Sequence, residues 1–466
     1  MSDTGTGPEE RFESDPERED AYELNAALVE AILAAVEAGD KDRLVELLER
    51  LHGADLADLL EQISANEREA LIRVWGDRFD GSFLYELEEG VRDQILELID
   101  DDLLASAVSE METDDVVYLI EDMEEAQKSQ ILESLDDADR VAVEASLQYE
   151  EDTAGRLMSR EMVTAPPHWT VGEAIDYMRA HEDLPEDFYK VILVDARHHV
   201  VGTVPLGTIM AHRREVKLLD IADTDPKLIP VDQKEEDVAY AFNQYHLISA
   251  PVVDGDGRLV GVITIDDAME ILEDEAEEDM KRLAGLGDEE LSDSVWDTAR
   301  ARFPWLAVNL ATAILASVVI GLFEATIQAI VALAVLMPII ASMGGNAATQ
   351  TLTVAVRALA TRDITRANAM RIIRREALVG LGNGIAFAVV IGIVGVIWFG
   401  SPMLGVVLAV AMVVNLLVAG LAGILIPIAL EKAGADPALA SGTFVTTVTD
   451  VVGFFVFLGL AGLLLV

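Results

Sequence analysis

The chain divides its charge and its hydrophobicity between two halves, and that division restricts its possible folds more than any single motif. The formal net charge is -51, yet 51% of the residues are hydrophobic. From residue 301 onward there are six acidic and eight basic residues, whereas the first 300 residues carry 78 acidic against 25 basic. No single core buries the one without the other, so the sequence describes a water-facing acidic part followed by a lipid-facing part. The acidic surplus excludes a nucleic-acid partner, which needs basic patches. With 25 Arg against 8 Lys, most of the surplus reads as a solvated surface adapted to high salt.

Five apolar stretches follow residue 303, at about 304–323, 326–357, 377–399, 403–430 and 441–466. Each can cross a hydrocarbon core of roughly 30 Å at about 1.5 Å per helical residue. Arg300 and Arg302 precede the first, Arg362, Arg366, Arg371, Arg374 and Arg375 follow the second, and Lys432 follows the fourth. All three positions fall on one side of a five-span layout. Positive charge marks the inner side, which predicts a multi-pass plasma-membrane protein with a cytoplasmic acidic half and an outside C-terminus.

The last stretch opens with SGTFVTTVTD, and Asp450 is the only carboxylate placed well inside a span; Glu324 falls at the end of the first. Carboxylates at membrane depth are costly and face a partner or a watery cavity. A proton or a permeant cation can neutralise Asp450. Ser441, Thr443, Thr446, Thr447 and Thr449 precede it, and oxygen-only surroundings suit a hard cation such as Mg2+. One carboxylate is little charge for a divalent ion, so two copies facing one axis, in a homodimer, give a sufficient site. The second stretch holds Gly344, Gly345, Asn346, Thr349, Gln350 and Thr351. These residues serve helix packing or line a passage.

In the acidic half, residues 1–20 are polar, unlike a signal peptide, and are expected to be disordered. Residues 21–150 show apolar residues at helical spacing throughout, as in DRLVELLERLHGADLADLLEQIS, and predict an all-α superhelical domain. Residues 151–279 contain a repeat: VDARHHVVGTVPLGTIM (194–210) matches VDGDGRLVGVITIDDAM (253–269) at an offset of 59. Each copy reads as βαββα, and the pair as one α/β module.

The second copy holds Gly261, Thr264 and Asp266. Thr264 and Asp266 either touch an adenosine nucleotide such as ATP or cap the following helix; the first copy has Pro205 and Gly207 instead. Residues 270–282 form an acidic run, a solvated face unless divalent cations bridge it to another acidic surface. Residues 280–303 are expected to form a connecting helix, and 304–466 a five-helix domain. There is no cysteine, which excludes disulfides and thiolate metal sites. No nucleophile–base pair or metal-spaced histidines suggest an enzyme. GLGNG (380–384) reads as helix packing rather than a phosphate loop.

The segments YEEDTAGRLM (149–158), the repeat, SMGGNAATQTLTVAVRALA and TTVTDVVGFFVFLGLA, in this order, closely resemble the MgtE family of magnesium channels and transporters, over nearly the whole chain. The repeat itself resembles a tandem cystathionine-β-synthase (CBS) pair. The resemblance implies a homodimer with the pore on its two-fold axis and Mg2+ at Asp450, assisted near Thr446, Gly442 and Asn346. It also implies a cytosolic Mg2+ sensor that closes the pore, with ligands among Asp267, Glu270, Glu275, Glu278 and Asp279, and with Asp114 and Asp115 in the helical domain. Two departures stand out: Thr443 occupies a position where some members have proline, and Gly442 offers no side-chain ligand. Competing readings are a proton- or sodium-coupled carrier using Asp450, and a membrane-anchored nucleotide sensor.

Overall fold

A computed structural model describes residues 24–79, 81, 83–109, 111–121, 123, 125–181, 184–185, 188–287, 295–439 and 442–466. The expected disordered tail lies outside them. The chain separates into two units, Met1–Leu272 and Glu273–Val466.

The first unit begins with short helices, nine among the described residues from Ala26–Ala38 to Asp137–Ser146. They are short because polar caps recur at close intervals. Ser64 and Glu67 close a capping box, and Asn25, Asp40, Asp100 and Asp136 each accept a backbone N–H in the following first turn. The apolar faces meet in one core around Leu59, Leu60, Phe83, Ile95 and Ile120. Arg68 is buried there, and its guanidinium is satisfied by the Leu60 carbonyl at 2.8 Å, the Ile63 carbonyl at 3.3 Å and the Gln94 side chain.

The repeat folds into two three-stranded sheets of the same order. Strands β1 (Thr164–Ala165), β2 (Lys190–Val194) and β3 (Val200–Pro205) make the first, and β4 (Ile229–Pro230), β5 (Ser249–Val253) and β6 (Leu259–Thr264) the second. In each, a parallel pair is followed by an antiparallel one. The register shifts fall at Leu193/Val194 and Val252/Val253, again 59 residues apart.

The repeated glycines have a steric cause. A Cβ on Gly202 would lie 2.7 Å from the Asp223 carbonyl, and one on Gly261 2.8 Å from the Ser159 carbonyl. Their absence lets an extra segment pair with each sheet: Thr203 exchanges backbone hydrogen bonds with Asp223, and Val262 with Ser159. YEEDTAGRLM ties into the second sheet as well. Ala154 and Gly155 donate to the Gln233 and Val231 carbonyls at 2.8 and 2.9 Å.

In the second unit, five helices among the described residues are long and apolar enough to cross a membrane: Thr298–Gly321, Ala332–Ala360, Ala369–Phe399, Pro402–Ala433 and Gly442–Leu464. The chain is a multi-pass membrane protein. The second begins later than the expected 326, because a short helix, Glu324–Ala329, forms first. The expected connecting helix over 280–303 is not one element. The helix Ile265–Ala284 contains its start, residues 288–294 lie outside those described, and 295–303 are already the first turns of the helix Val295–Gly321.

Glycines set the closest helix approaches. A Cβ on Gly380 would lie 2.6 Å from the Leu416 carbonyl, and one on Gly384 3.0 Å from the Val413 Cα. The GLGNG segment therefore packs the third membrane helix against the fourth.

Candidate functional sites

Asp450 lies in the third turn of the fifth membrane helix, about 12 Å along it from Gly442 at 1.5 Å per residue. It is half-buried, and among the described residues no side chain hydrogen-bonds or ion-pairs with it. Thr443, Thr446, Thr447 and Asp450 recur at i, i+3, i+4 and i+7, which places them on one helix face. The Thr446 and Thr447 hydroxyls both donate to the Thr443 carbonyl, at 3.1 and 2.6 Å. Their protons are thus spent on their own helix, and their oxygen lone pairs remain as acceptors. Thr449 is fully buried and donates to the Thr446 carbonyl at 2.8 Å. It belongs to the packed face and not to the oxygen lining expected of it. Ser441 lies outside the described residues.

The second membrane helix meets this face. A Cβ on Gly345 would lie 3.2 Å from the Thr446 methyl, and one on Gly442 3.8 Å from Thr349 Oγ1. Thr349 donates back to the Gly345 carbonyl at 3.0 Å. Asn346 is exposed one residue later.

Beneath this seam sits Asn415 of the fourth membrane helix, a residue that the sequence reading overlooked. It is 1% exposed, its Nδ2 donates to the Ile340 carbonyl at 2.8 Å, and its Oδ1 is buried without a hydrogen-bond partner. Gly344 and Gly453 pack on its carboxamide from the second and fifth helices. Its signal in the sequence is an asparagine amid leucines and valines, AMVVNLLVAG.

A second concentration of oxygen ligands lies within the first unit, where the helical domain meets the CBS pair. The helix Thr113–Glu121 supplies Asp114 and Asp115, with Glu112 just before it. The segment after the helix Ala154–Leu157 supplies Glu161, held by three donors: Thr113 Oγ1 at 2.5 Å, Ser159 Oγ at 2.7 Å and the Arg160 N–H at 2.9 Å. Carboxylate oxygens of Glu112, Asp114 and Glu161 all lie within 4.8 Å of one another.

Asp267 contributes from the start of the helix Ile265–Ala284. Its carboxylate accepts the Thr264 N–H at 2.8 Å and the Thr264 hydroxyl at 2.9 Å. This is half of a capping box, so Asp267 rather than Asp266 closes back on the helix start. The Thr264 hydroxyl also lies within hydrogen-bond reach of the Asp266 carboxylate, which competes with Asp267 for its one proton.

Burial and mutual repulsion raise the affinity of these acids for protons. Asp114 is pushed well above the usual carboxylate range by burial, then by Asp267, Asp115, Glu112 and Glu161. Asp115 is pushed up to about 7 by burial, then by Glu112, Asp267 and Glu270. Glu112 is pushed up to about 6 by burial, then by Glu161 and Asp267. Crowded carboxylates with no ion-paired base among the described residues fit a hard divalent cation, which supplies the missing charge.

The structure therefore brings Asp114, Asp115 and Asp267 together and adds Glu112 and Glu161, with Glu270 close enough to act on Asp115. Glu275, Glu278 and Asp279 lie further along the helix, within the second unit. Glu278 pairs with Arg282, which also holds Asp436. Thr264 also lines a cleft between the two CBS sheets, with Phe188, Tyr189, Lys190 and Ser249.

Three family descriptions match the chain: the divalent cation transporter MgtE over residues 337–460, the MgtE intracellular N domain over 51–152, and the CBS domain over 154–215 and 218–274. The magnesium transporter MgtE of Enterococcus faecalis is 35% identical over 317 residues, 68% of this chain and 70% of its own. That of Thermus thermophilus is 30% identical over 465 residues, 95% of this chain and 99% of its own. Among solved structures, the cytosolic domain of the Mg2+ channel MgtE in complex with ATP matches 52% of this chain and 99% of its own, with 26% identity and a TM-score of 0.49. The chain belongs to the MgtE family of magnesium transporters.

Proposed function

We propose that this protein conducts Mg2+ across the plasma membrane through a pore on the axis of a homodimer, with Asp450 of each copy as its cation site. The observation that carries this reading is the half-buried Asp450 carboxylate, without a side-chain partner among the described residues, on a face shared with Thr443, Thr446 and Thr447 of a membrane-length helix. A charge so placed is costly unless a cation passes it. A two-fold axis beside this helix would supply two carboxylates to one hydrated ion, with threonine and backbone oxygens as further acceptors. Gly442 would contribute only its backbone, and Asn346 a side-chain amide. By the distribution of arginines, the acidic half is cytoplasmic and the C-terminus outside.

The cytosolic half would sense internal Mg2+. Glu112, Asp114 and Glu161 would hold a divalent cation, with Asp115 and Asp267 beside them. A bound cation neutralises the cluster, which favours the closed arrangement of the helical domain and the CBS pair; without it, the carboxylates repel one another and loosen that junction. The helix Ile265–Ala284 starts in this cluster and runs on past residue 272 into the second unit, and so provides a covalent route by which its state could reach the pore. Glu270, Glu275, Glu278 and Asp279 along this helix would add to the sensor. In the CBS cleft, Lys190, Tyr189 and Thr264 offer a cation, an aromatic face and a hydroxyl suited to ATP, with Asp266 beside Thr264.

Mg2+ uptake into proteoliposomes tests the pore, wild type against Asp450→Asn. Uptake is expected in the wild type without a proton or sodium gradient, and lost in the variant. Equal uptake by both would remove Asp450 from the pathway, and dependence on either gradient would make the protein a coupled carrier.

A further inference from the structure

The membrane half carries another concentration of charge that ion conduction leaves unused. Arg371, Arg374 and Arg375 are exposed in the first turns of the helix Ala369–Phe399 and share a groove with Met370, Leu378 and Val379. Spacings of three and four residues put the three guanidinium groups and both aliphatic side chains on one stripe of the helix. Among the described residues none of these arginines has an ion pair or a side-chain hydrogen bond. In a chain with 84 acidic residues against 33 basic ones, three neighbouring arginines that no carboxylate pairs with among the described residues, although Glu376 follows Arg375 in the sequence, call for a partner from outside.

Below the arginines the stripe continues without charge. Leu378, Ile385, Val389 and Ile393 follow at helical spacing, 68%, 53%, 59% and 55% exposed. Gly382 lies between them, with nothing within 4 Å of where its Cβ would be. Arg375 to Ile393 spans about 27 Å at 1.5 Å per residue, close to the roughly 30 Å of a bilayer's hydrocarbon core. On a helix of a length and composition to cross the bilayer, these guanidinium groups would lie at headgroup level, above an exposed apolar stripe with a gap at Gly382.

We propose that this stripe binds an anionic phospholipid, its phosphate held by Arg371, Arg374 and Arg375 and an acyl chain laid along Leu378, Gly382, Ile385 and Val389. Guanidinium forks match phosphate oxygens in pairs. A lipid with a net negative headgroup gains from all three charges, whereas a zwitterionic one brings its own competing cation. A second copy is a poor occupant: a two-fold axis along the membrane normal would set arginines against arginines at the same depth. An acidic protein segment would satisfy the arginines but leave the apolar stripe below them uncovered. The neighbouring groove at Thr365, Arg366 and Lys432 contains Glu431 and lacks an unmixed positive charge.

The test is native mass spectrometry of the full-length protein in detergent, titrated with phosphatidylglycerol or phosphatidylcholine. Retention of phosphatidylglycerol over phosphatidylcholine is expected. The triple change Arg371→Gln, Arg374→Gln and Arg375→Gln should weaken it by about tenfold or more, given the strength of basic residues at anionic surfaces. Millimolar inorganic phosphate should not displace the lipid, because the acyl contact contributes. The triple Arg→Lys variant keeps the charge without the forks and should retain an intermediate amount; it also serves if the Gln variant does not fold. Gly382→Leu, which fills the gap, should weaken retention while leaving all three arginines in place. Equal retention of both lipids, displacement by free phosphate, or unchanged retention in the Gln or Lys variants would each overturn the proposal. A change of oligomeric mass in the Gln variant with lipid retention unaltered would reassign the stripe to a second copy.

Discussion

The Asn415 carboxamide fills the space that a side chain at Gly453 would need: a Cβ there would lie 2.9 Å from Oδ1. On the opposite flank, a Cβ at Gly344 would lie 2.3 Å from Nδ2. One polar side chain is thus clasped between two glycines, and its amide is tied to the Ile340 carbonyl. Gly453 is one helical turn beyond Asp450, so this clasp fixes the height and rotation of the helix that carries the carboxylate. Gly453→Ala must displace the amide or the helix, at a cost of about 1–3 kcal/mol. Mg2+ uptake by reconstituted protein is expected to fall by about tenfold, in line with that cost, at unchanged membrane insertion. Wild-type uptake would show that Asn415 packs the helices without positioning Asp450.

The acid cluster makes an opposite demand. Asp115 is held beside Glu112, Asp267 and Glu270, so its charge destabilises the junction when no cation is present. Asp115→Asn keeps the shape and removes the charge. Without divalent ions at pH 8, amide hydrogen exchange in the helix Thr113–Glu121 should slow by about fivefold to thirtyfold, the weight of about 1–2 kcal/mol for relieving like-charge contacts. Added Mg2+ should protect this helix in the wild type and much less in the variant. Faster exchange in the metal-free variant would mean that the carboxylate makes a stabilising contact.

The same cluster sets a pH dependence whose sign follows from its raised carboxyl groups. Unfolded, Asp115 and Glu112 titrate near 4. Folded, they sit at about 7 and about 6, so between pH 4 and 7 the folded chain keeps protons that the unfolded chain has released. Their contribution to stability is therefore full below about pH 4 and is lost as the pH rises through 6 and 7. In chelator, exchange in the helix Thr113–Glu121 should speed up across that window. Mg2+ competes with those protons, so its apparent affinity, followed by isothermal titration calorimetry, should rise from pH 6 to pH 8. An affinity that is flat over this range would separate the ion from these carboxylates.

What could be read in advance, and what could not, follows from the range of the forces involved. The 59-residue repeat announced two equivalent sheets because it preserved the strand pattern down to Gly202 and Gly261. Five membrane helices followed from apolar runs, and Asp450 from the cost of a charge among them; these signals are local. Glu161 was not found, because it lies in an irregular segment whose partners, Thr113 and Glu112, are nearly 50 residues away. Asp114 and Asp115 were named only through resemblance, since an acidic pair opening a helix is ordinary in so acidic a chain. Asn415 was missed for the converse reason: one amide does not disturb an apolar run, and its significance depends on glycines in two other helices. The threonines before Asp450 differ again, because helix phase divides them. Thr443, Thr446 and Thr447 share its face, while Thr449 turns into the core.

Gly261 joins the repeat to the acid cluster. With no side chain there, Ser159 lies close enough to exchange two backbone hydrogen bonds with Val262, both 2.9 Å. Ser159 in turn donates to Glu161. A methyl group at position 261 would lie 2.6 Å from the Met158 sulfur and 2.8 Å from the Ser159 carbonyl. The methionine can move, but the carbonyl belongs to a paired backbone and cannot move without breaking the bridge. Gly261→Ala should therefore displace the segment that presents Glu161, at about 1–3 kcal/mol of overpacking. The expected outcome is weaker Mg2+-dependent protection of the helix Thr113–Glu121, read by hydrogen exchange, although no ligand has been changed. Glu161→Gln separates the two effects: it should reproduce the loss of Mg2+ protection while leaving exchange at the Val262 amide slow. Gly261→Ala should accelerate exchange at Val262 as well. If Gly261→Ala speeds Val262 exchange but retains full Mg2+ protection, then Glu161 does not depend on this bridge for its position.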